Sequence, residues 1–259
     1  MARLRGPNGC PWDREQTLQS LRPFLLEETY EALEAIDRGD AQGLREELGD
    51  LLFEVVFLAR VSEDAGHFSI ADAIDTVATK LVRRHPHVFG TEGPAVSADE
   101  VLNRWEDLKR EERAAAGSAP RGTLDGVPKT LPGLLRAYEY GSRAASLGFD
   151  WLRAADVVLK IEEEIAEVRE ALVASGDANG QASAKVEEEV GDLLFAVANL
   201  SRKLGVEPET ALRRANDKFA RRFTELERRV TDRGDTMKGT SLDALEAEWQ
   251  RVKADQDPH

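Results

Sequence analysis

The sequence predicts an all-α chain built as two tandem helical-bundle domains. Three observations carry that reading: apolar residues recur at helical spacing in segment after segment, no useful stretch alternates as a strand does, and the second half repeats the first. Residues 1–16, with Gly6-Pro7 and Gly9-Cys10-Pro11-Trp12-Asp13, read as an irregular lead-in whose turn residues prevent a helix and whose Trp12 packs it down. A helix follows from about Arg22 to Asp37, with Pro23 in its first turn and Leu26, Tyr30, Leu33 and Ile36 at helical spacing, and Gly39 marks its end. The next runs from about Ala41 to Ala65, where Leu44, Leu48, Leu51, Leu52, Val55 and Leu58 form a broad apolar stripe closed by Gly66. A third covers Ser69 to Arg84, capped by Ser69 and stopped before Pro86. A fourth starts at Ser97, with Ser97-x-x-Glu100 as a capping box, and ends near Ala116.

A segment rich in glycine and proline then reads as a linker, which sets the domains at 1–116 and 131–259 with 117–130 between them. Beyond it the spacing predicts helices at about Leu134 to Leu147, Arg153 to Ser175, Ala182 to Leu204, Pro208 to Arg233 and Ser241 to Asp255.

Bulk properties narrow the function. A chain of 259 residues, 41% of them hydrophobic, can bury two ordinary cores. A formal net charge of −14 argues against a nucleic-acid partner, since binding a phosphate polymer relies on basic surface. Cys10 is the single cysteine, so no intrachain disulfide and no zinc set of cysteines and histidines can form. The N-terminus lacks the apolar core of a secretory signal and no run approaches a membrane span, so the expectation is a cytoplasmic protein with no membrane partner. None of the four histidines stands in a Glu-x-x-His pattern, which favours an oxygen-rich site for a hard cation over a di-iron site.

The repeat points to that site. Glu28 and Glu31 match Glu164 and Glu167, and Glu46-Glu47-Leu48-Gly49-Asp50-Leu51-Leu52-Phe53 matches Glu188-Glu189-Val190-Gly191-Asp192-Leu193-Leu194-Phe195. Lys80 answers Lys218, and Trp105 with Lys109 answers Trp249 with Lys253. Residues three apart share a helix face, so Glu164 with Glu167 and Glu189 with Asp192 can converge if their helices are antiparallel. Four carboxylates in a poorly solvated cleft repel one another unless cations occupy it. Leu193, Leu194 and Phe195 are expected to anchor this helix in the core, and Gly191 to admit a close neighbour. One acidic pair is usually a solvated face; two pairs in the same order in both halves are not.

The pattern Glu163-Glu164-x-x-Glu167 followed by Glu189-x-x-Asp192 resembles the signature of the MazG-type all-α nucleoside triphosphate pyrophosphohydrolases. With GCPWD at Gly9 to Asp13, RRHPHVF at Arg83 to Phe89 and GFDW at Gly148 to Trp151, nearly the whole chain is similar to the tandem two-domain bacterial members of the family. The resemblance implies Mg²⁺-dependent hydrolysis of (d)NTPs to the monophosphate and pyrophosphate, with broad base tolerance, a role in nucleotide-pool housecleaning and a homodimer. It implies Mg²⁺, or Mn²⁺ in its place, on the catalytic carboxylates Glu164, Glu167, Glu189 and Asp192, with a second possible site at Glu28, Glu31, Glu47 and Asp50. It implies substrate binding by Asn216, Lys218, Arg222, Trp249 and Lys253. The general base stays open among the motif glutamates, with Glu163 a lesser candidate. Aligning Lys80 with Lys218 sets Ala78 against Asn216, which puts the main active site in residues 131–259 and leaves the first half weakly active or regulatory. The alternatives are a specialised dUTP, dCTP or phosphoribosyl-ATP pyrophosphatase, and a non-catalytic helical dimerisation module.

Overall fold

A computed structural model of the chain describes residues 1–90, 97, 101, 122–175 and 183–256. Every regular element among the described residues is helical, and none of those helices is long and apolar enough to cross a membrane. The chain divides into two compact units, Met1–Ser118 and Ala119–His259.

The first unit opens on two short helices, α1 (Ala2–Arg5) and α2 (Pro11–Glu15), which correct the expectation of an irregular lead-in. Pro11 stands in the first turn of α2, where a missing N–H leaves no bond unmade. Gly9 lets the chain double back so tightly that a Cβ there would lie 2.0 Å from the Leu4 carbonyl oxygen. The segment is tied down by Arg5 rather than by Trp12. The Arg5 guanidinium donates to the Asp13 carbonyl and pairs with Asp64 at 2.8 Å, whereas Trp12 is half exposed, edge-on to Phe24.

Helix α3 (Arg22–Arg38) ends at Gly39 in the left-handed region, φ +66°. Asp40 then caps α4 (Ala41–Asp64) by accepting from the backbone N–H groups of Gln42 and Gly43. So short a connection makes α3 and α4 an antiparallel hairpin, packed along its length. Helix α5 (Ile70–Arg84) starts with a reciprocal capping box between Ser69 and Asp72, and α6 (Pro86–Phe89) follows it. Apart from Ser97 and Val101 themselves, the expected capping box with Glu100, the helix after it with Trp105 and Lys109, and the start of the linker lie outside the described residues.

The second unit contains α7 (Gly133–Ala145), α8 (Ala154–Ser175), α9 (Ala184–Lys203), α10 (Pro208–Asp232), a 3₁₀ turn (Met237–Gly239) and α11 (Leu242–Gln256). Ser175 Oγ at the end of α8 lies 2.7 Å from Ser183 Oγ, the N-cap of α9, so these two helices are antiparallel. Helix α7 lies along α9, and α10 packs on α11 through Leu226, Val230 and Val252.

The apolar stripes exist, but they do not all face this chain's own core. Leu194 is 50% exposed and Leu52 63% exposed, Phe195 and Leu48 are exposed too, and only Leu193 of the expected anchors is partly buried. The outer face of each acidic hairpin therefore carries exposed apolar side chains. At the repeated glycine a Cβ on Gly49 or Gly191 would find nothing within 4 Å, so the close approach expected there is not made among the described residues.

Candidate metal centre

The apolar stripes that pair α8 with α9 also bring their acidic residues together. One carboxylate oxygen each from Glu164, Glu189 and Asp192 lie within 4.8 Å of one another. Glu164 and Glu189 are only 5% exposed, while Asp192 stands at the rim. Glu167 adjoins them. Its carboxyl is pushed up first by burial and then by the charges of Glu164 and Glu189.

Two lysines answer the buried charge. Lys160 Nζ lies 2.8 Å from Glu164 Oε1 and Lys185 Nζ 2.5 Å from Glu189 Oε1, each one helical turn back along the same helix. The same ammonium groups also reach Glu163 and Glu188, which point outward at 2.9 and 3.2 Å. Both lysines are held protonated well above their ordinary range, by the hydrogen bonds they donate to Glu163 and Glu164 in one case and to Glu189 and Glu188 in the other. Sequence reasoning missed these lysines. The repeat held the signal: the positions four before Glu28 and Glu47 are Phe24 and Gly43, so the first unit has neither.

In that unit Glu28, Glu31 and Glu47 cluster within the same 4.8 Å. Asp50 is close enough to act on its neighbours. The Glu28 carboxyl is pushed up by burial, then by Asp50, Glu31 and Glu47, and that of Glu47 by burial, then by Glu31 and Asp50. Both clusters offer only carboxylate oxygens, the donors that Mg²⁺, Mn²⁺ or Ca²⁺ take. In the second unit Glu164 Oε2 is buried with no hydrogen-bond partner, an orphaned acceptor that a cation would satisfy. The residues therefore fit a divalent metal.

The remaining expected residues gather on α10 and α11 instead. Asn216 and Lys218 are exposed on α10, Arg222 is buried, and Lys253 is half-buried on α11. Trp249 packs against the Leu226, Val230 and Val252 cluster, with its ring centroid 5.4 Å from that of Phe219. Neither Lys218 nor Lys253 pairs with the buried carboxylates among the described residues; Lys160 and Lys185 do. His85 places Nδ1 2.7 Å from the Leu81 carbonyl oxygen.

The model of the MazG nucleotide pyrophosphohydrolase domain matches the chain at residues 16–89 and again at 154–226. A protein of Escherichia coli named nucleoside triphosphate pyrophosphohydrolase is 51% identical over 255 residues, 98% of this chain and 94% of its own length. A Thermotoga maritima protein named nucleoside triphosphate pyrophosphohydrolase/pyrophosphatase MazG is 41% identical over 253 residues, 98% of this chain and 92% of its own. A Mycobacterium tuberculosis protein with the first of these names is 44% identical over 140 residues, 53% of this chain and 41% of its own. With one domain matched in each half and such identity along nearly its whole length, the chain belongs to the MazG nucleotide pyrophosphohydrolase family.

Proposed function

We propose that this chain is a Mg²⁺-dependent nucleoside triphosphate pyrophosphohydrolase that turns (d)NTPs into (d)NMP and pyrophosphate, with its main site in the second unit. The observation that carries the reading is the trio Glu164, Glu189 and Asp192, both glutamates buried and Glu164 with an orphaned oxygen, in a chain whose full-length relatives bear that activity in their names. Glu164, Glu167, Glu189 and Asp192 would hold the metal, with Mn²⁺ able to replace Mg²⁺. Bound there, the ion supplies Lewis-acid polarisation of phosphate oxygens and of water.

The chain's own residues do the rest. A water oxygen attacks phosphorus, the phosphoanhydride bond between the α- and β-phosphates breaks, and pyrophosphate leaves. Glu167 is the candidate acceptor of the water proton, because its carboxyl already has raised proton affinity from burial and from Glu164 and Glu189. Lys218, Arg222 and Lys253 would neutralise charge on the phosphates, with Asn216 and Trp249 completing the substrate contacts. Broad base tolerance and a housecleaning role in the cytoplasm follow from the family reading. The trio Glu28, Glu31 and Glu47, with Asp50, is a second possible metal site, with Phe24 and Gly43 where the second unit has its two lysines.

A mixed NTP panel assayed for monophosphate and pyrophosphate tests the proposal. Glu164→Gln or Asp192→Asn should lower turnover at least a hundredfold, while Glu28→Gln or Asp50→Asn should leave most of it. Equal losses from both sets would refute the assignment to one unit. The exposed apolar faces of α4 and α9 favour a second reading, a helical dimerisation module without catalysis. No metal-dependent turnover with Mg²⁺ or Mn²⁺ would select it.

A further inference from the structure

Each buried glutamate of the second unit shares its lysine with an exposed one. Lys160 Nζ stands between Glu164 Oε1 at 2.8 Å and Glu163 Oε1 at 2.9 Å, and Lys185 Nζ between Glu189 Oε1 at 2.5 Å and Glu188 Oε2 at 3.2 Å. Glu164 and Glu189 are buried, whereas Glu163 and Glu188 are exposed. Each ammonium group is therefore at a fork, with an inner seat in the carboxylate cluster and an outer seat in water. The fork is the same on both helices. The lysine precedes the inner glutamate by four residues and the outer by three, so one flexible stem reaches either.

The inner seat is also where a cation binds. A divalent ion on the same oxygen would lie within about 5 Å of the ammonium group, since Mg²⁺–oxygen bonds are about 2.1 Å long. Positive charges that close repel strongly where water is scarce. Glu164 divides the two roles between its oxygens: Oε2 has no partner and Oε1 carries Lys160. The free oxygen gives an ion its foothold, and the ammonium group beside it opposes the ion's complete coordination. The outer seat resolves the conflict, because a lysine that turns to Glu163 or Glu188 clears the inner carboxylate and keeps an ion pair. The first unit repeats the outer glutamates as Glu27 and Glu46, but has Phe24 and Gly43 at the lysine positions. The lysines are thus an addition to the cluster and not part of what assembles it.

We propose that Lys160 and Lys185 are latches on the metal site, which hold its two buried glutamates against free cations and open by passing to Glu163 and Glu188. The proposal rests on the metal reading above and adds what regulates that site. A divalent ion gains these carboxylates only by displacing charges already seated on them, so its affinity is set by the balance between inner and outer seats. Loss of the lysines and loss of their outer seats must then act in opposite directions. Were the lysines only props for Glu164 and Glu189, losing them would loosen the metal.

Titration of the full chain with Mn²⁺, followed by the electron paramagnetic resonance signal of the free ion, tests this without turnover. Glu28→Gln and Glu47→Gln are carried throughout, so that binding reports on the second unit. Lys160→Met with Lys185→Met should tighten Mn²⁺ binding about tenfold, and Lys185→Met alone, at the more exposed position, should give part of that gain. Glu163→Gln with Glu188→Gln should weaken binding about threefold in the lysine-bearing chain and leave it unchanged once both lysines are methionine. Unchanged or weaker binding in the methionine variants would overturn the latch. So would an equal weakening by the glutamine pair in both backgrounds, which is the mark of plain charge loss. Protein that binds no Mn²⁺ in any of these forms would instead defeat the metal reading itself, and the latch with it.

Discussion

Glu54 is the residue whose chemistry the sequence concealed most fully. It sits on α4 one turn beyond Asp50, is buried, has its carboxyl pushed up by burial, and leaves Oε2 with no hydrogen-bond partner. A folded-state carboxyl raised above its unfolded value favours folding most below that unfolded value. Stability is then lost as pH rises toward the folded value. Glu54→Leu should therefore raise the thermal midpoint at pH 7 by the equivalent of about 1 kcal/mol and gain less at pH 4; a lower midpoint at pH 7 would mean that the carboxylate has a role that the fold needs. The second unit has Ala196 at the matching position, so comparison of the halves could have singled out Glu54, although not its burial. The motif carboxylates were legible because i, i+3 spacing fixes a helix face whatever lies around it. Lys160 and Lys185 were missed because their meaning depends on which glutamates are buried, and periodicity does not give that.

At the scale of the helix, caps and punctuation carried the reading. Ser69, Asp40, Gly39 and Pro208 act where their chemistry places them, and the long helices begin and end within a residue or two of expectation. The short α1 and α2 were not legible, because a helical turn of four or five residues has no apolar period to show. The junction of α10 and α11 depends on charge as well as on Val230 and Val252. Glu225 accepts from Arg228 and Arg229, and Glu248 pairs with Arg233, Arg251 and Arg229. These bonds, first that from Arg228, pull the Glu225 carboxyl down to about 2, and Arg233 leads in lowering Glu248. A depressed carboxylate contributes stability above its unfolded value and loses it as pH falls through the folded one. The thermal midpoint should thus decline between about pH 4.5 and about pH 2, and Glu225→Gln should make that decline shallower. An identical acid profile in the variant would show the junction to be indifferent to this charge.

Taken whole, the described residues expose large apolar side chains on both acidic hairpins. Leu48, Leu52 and Val55 on α4, and Val190, Leu194 and Val197 on α9, stand outward next to the acidic clusters. Sedimentation should give twice 28.6 kDa, and Leu194→Glu should shift the protein toward the monomer without abolishing its helicity. A wild-type monomer would contradict this. The tandem architecture was readable from the repeat, and the all-α class from helical spacing without strand-like alternation. The face on which each stripe is covered was not, since one sequence states which residues are apolar and leaves open whether the cover comes from the same chain. The paired lysines bear on how such a protein comes to exist at all. An ammonium one turn from its carboxylate on a single helix closes as soon as that turn winds, within about a microsecond. The acidic hairpin of the second unit can therefore mature with its two buried glutamates already paired, and its folding does not wait on a supply of ions as that of a zinc finger does.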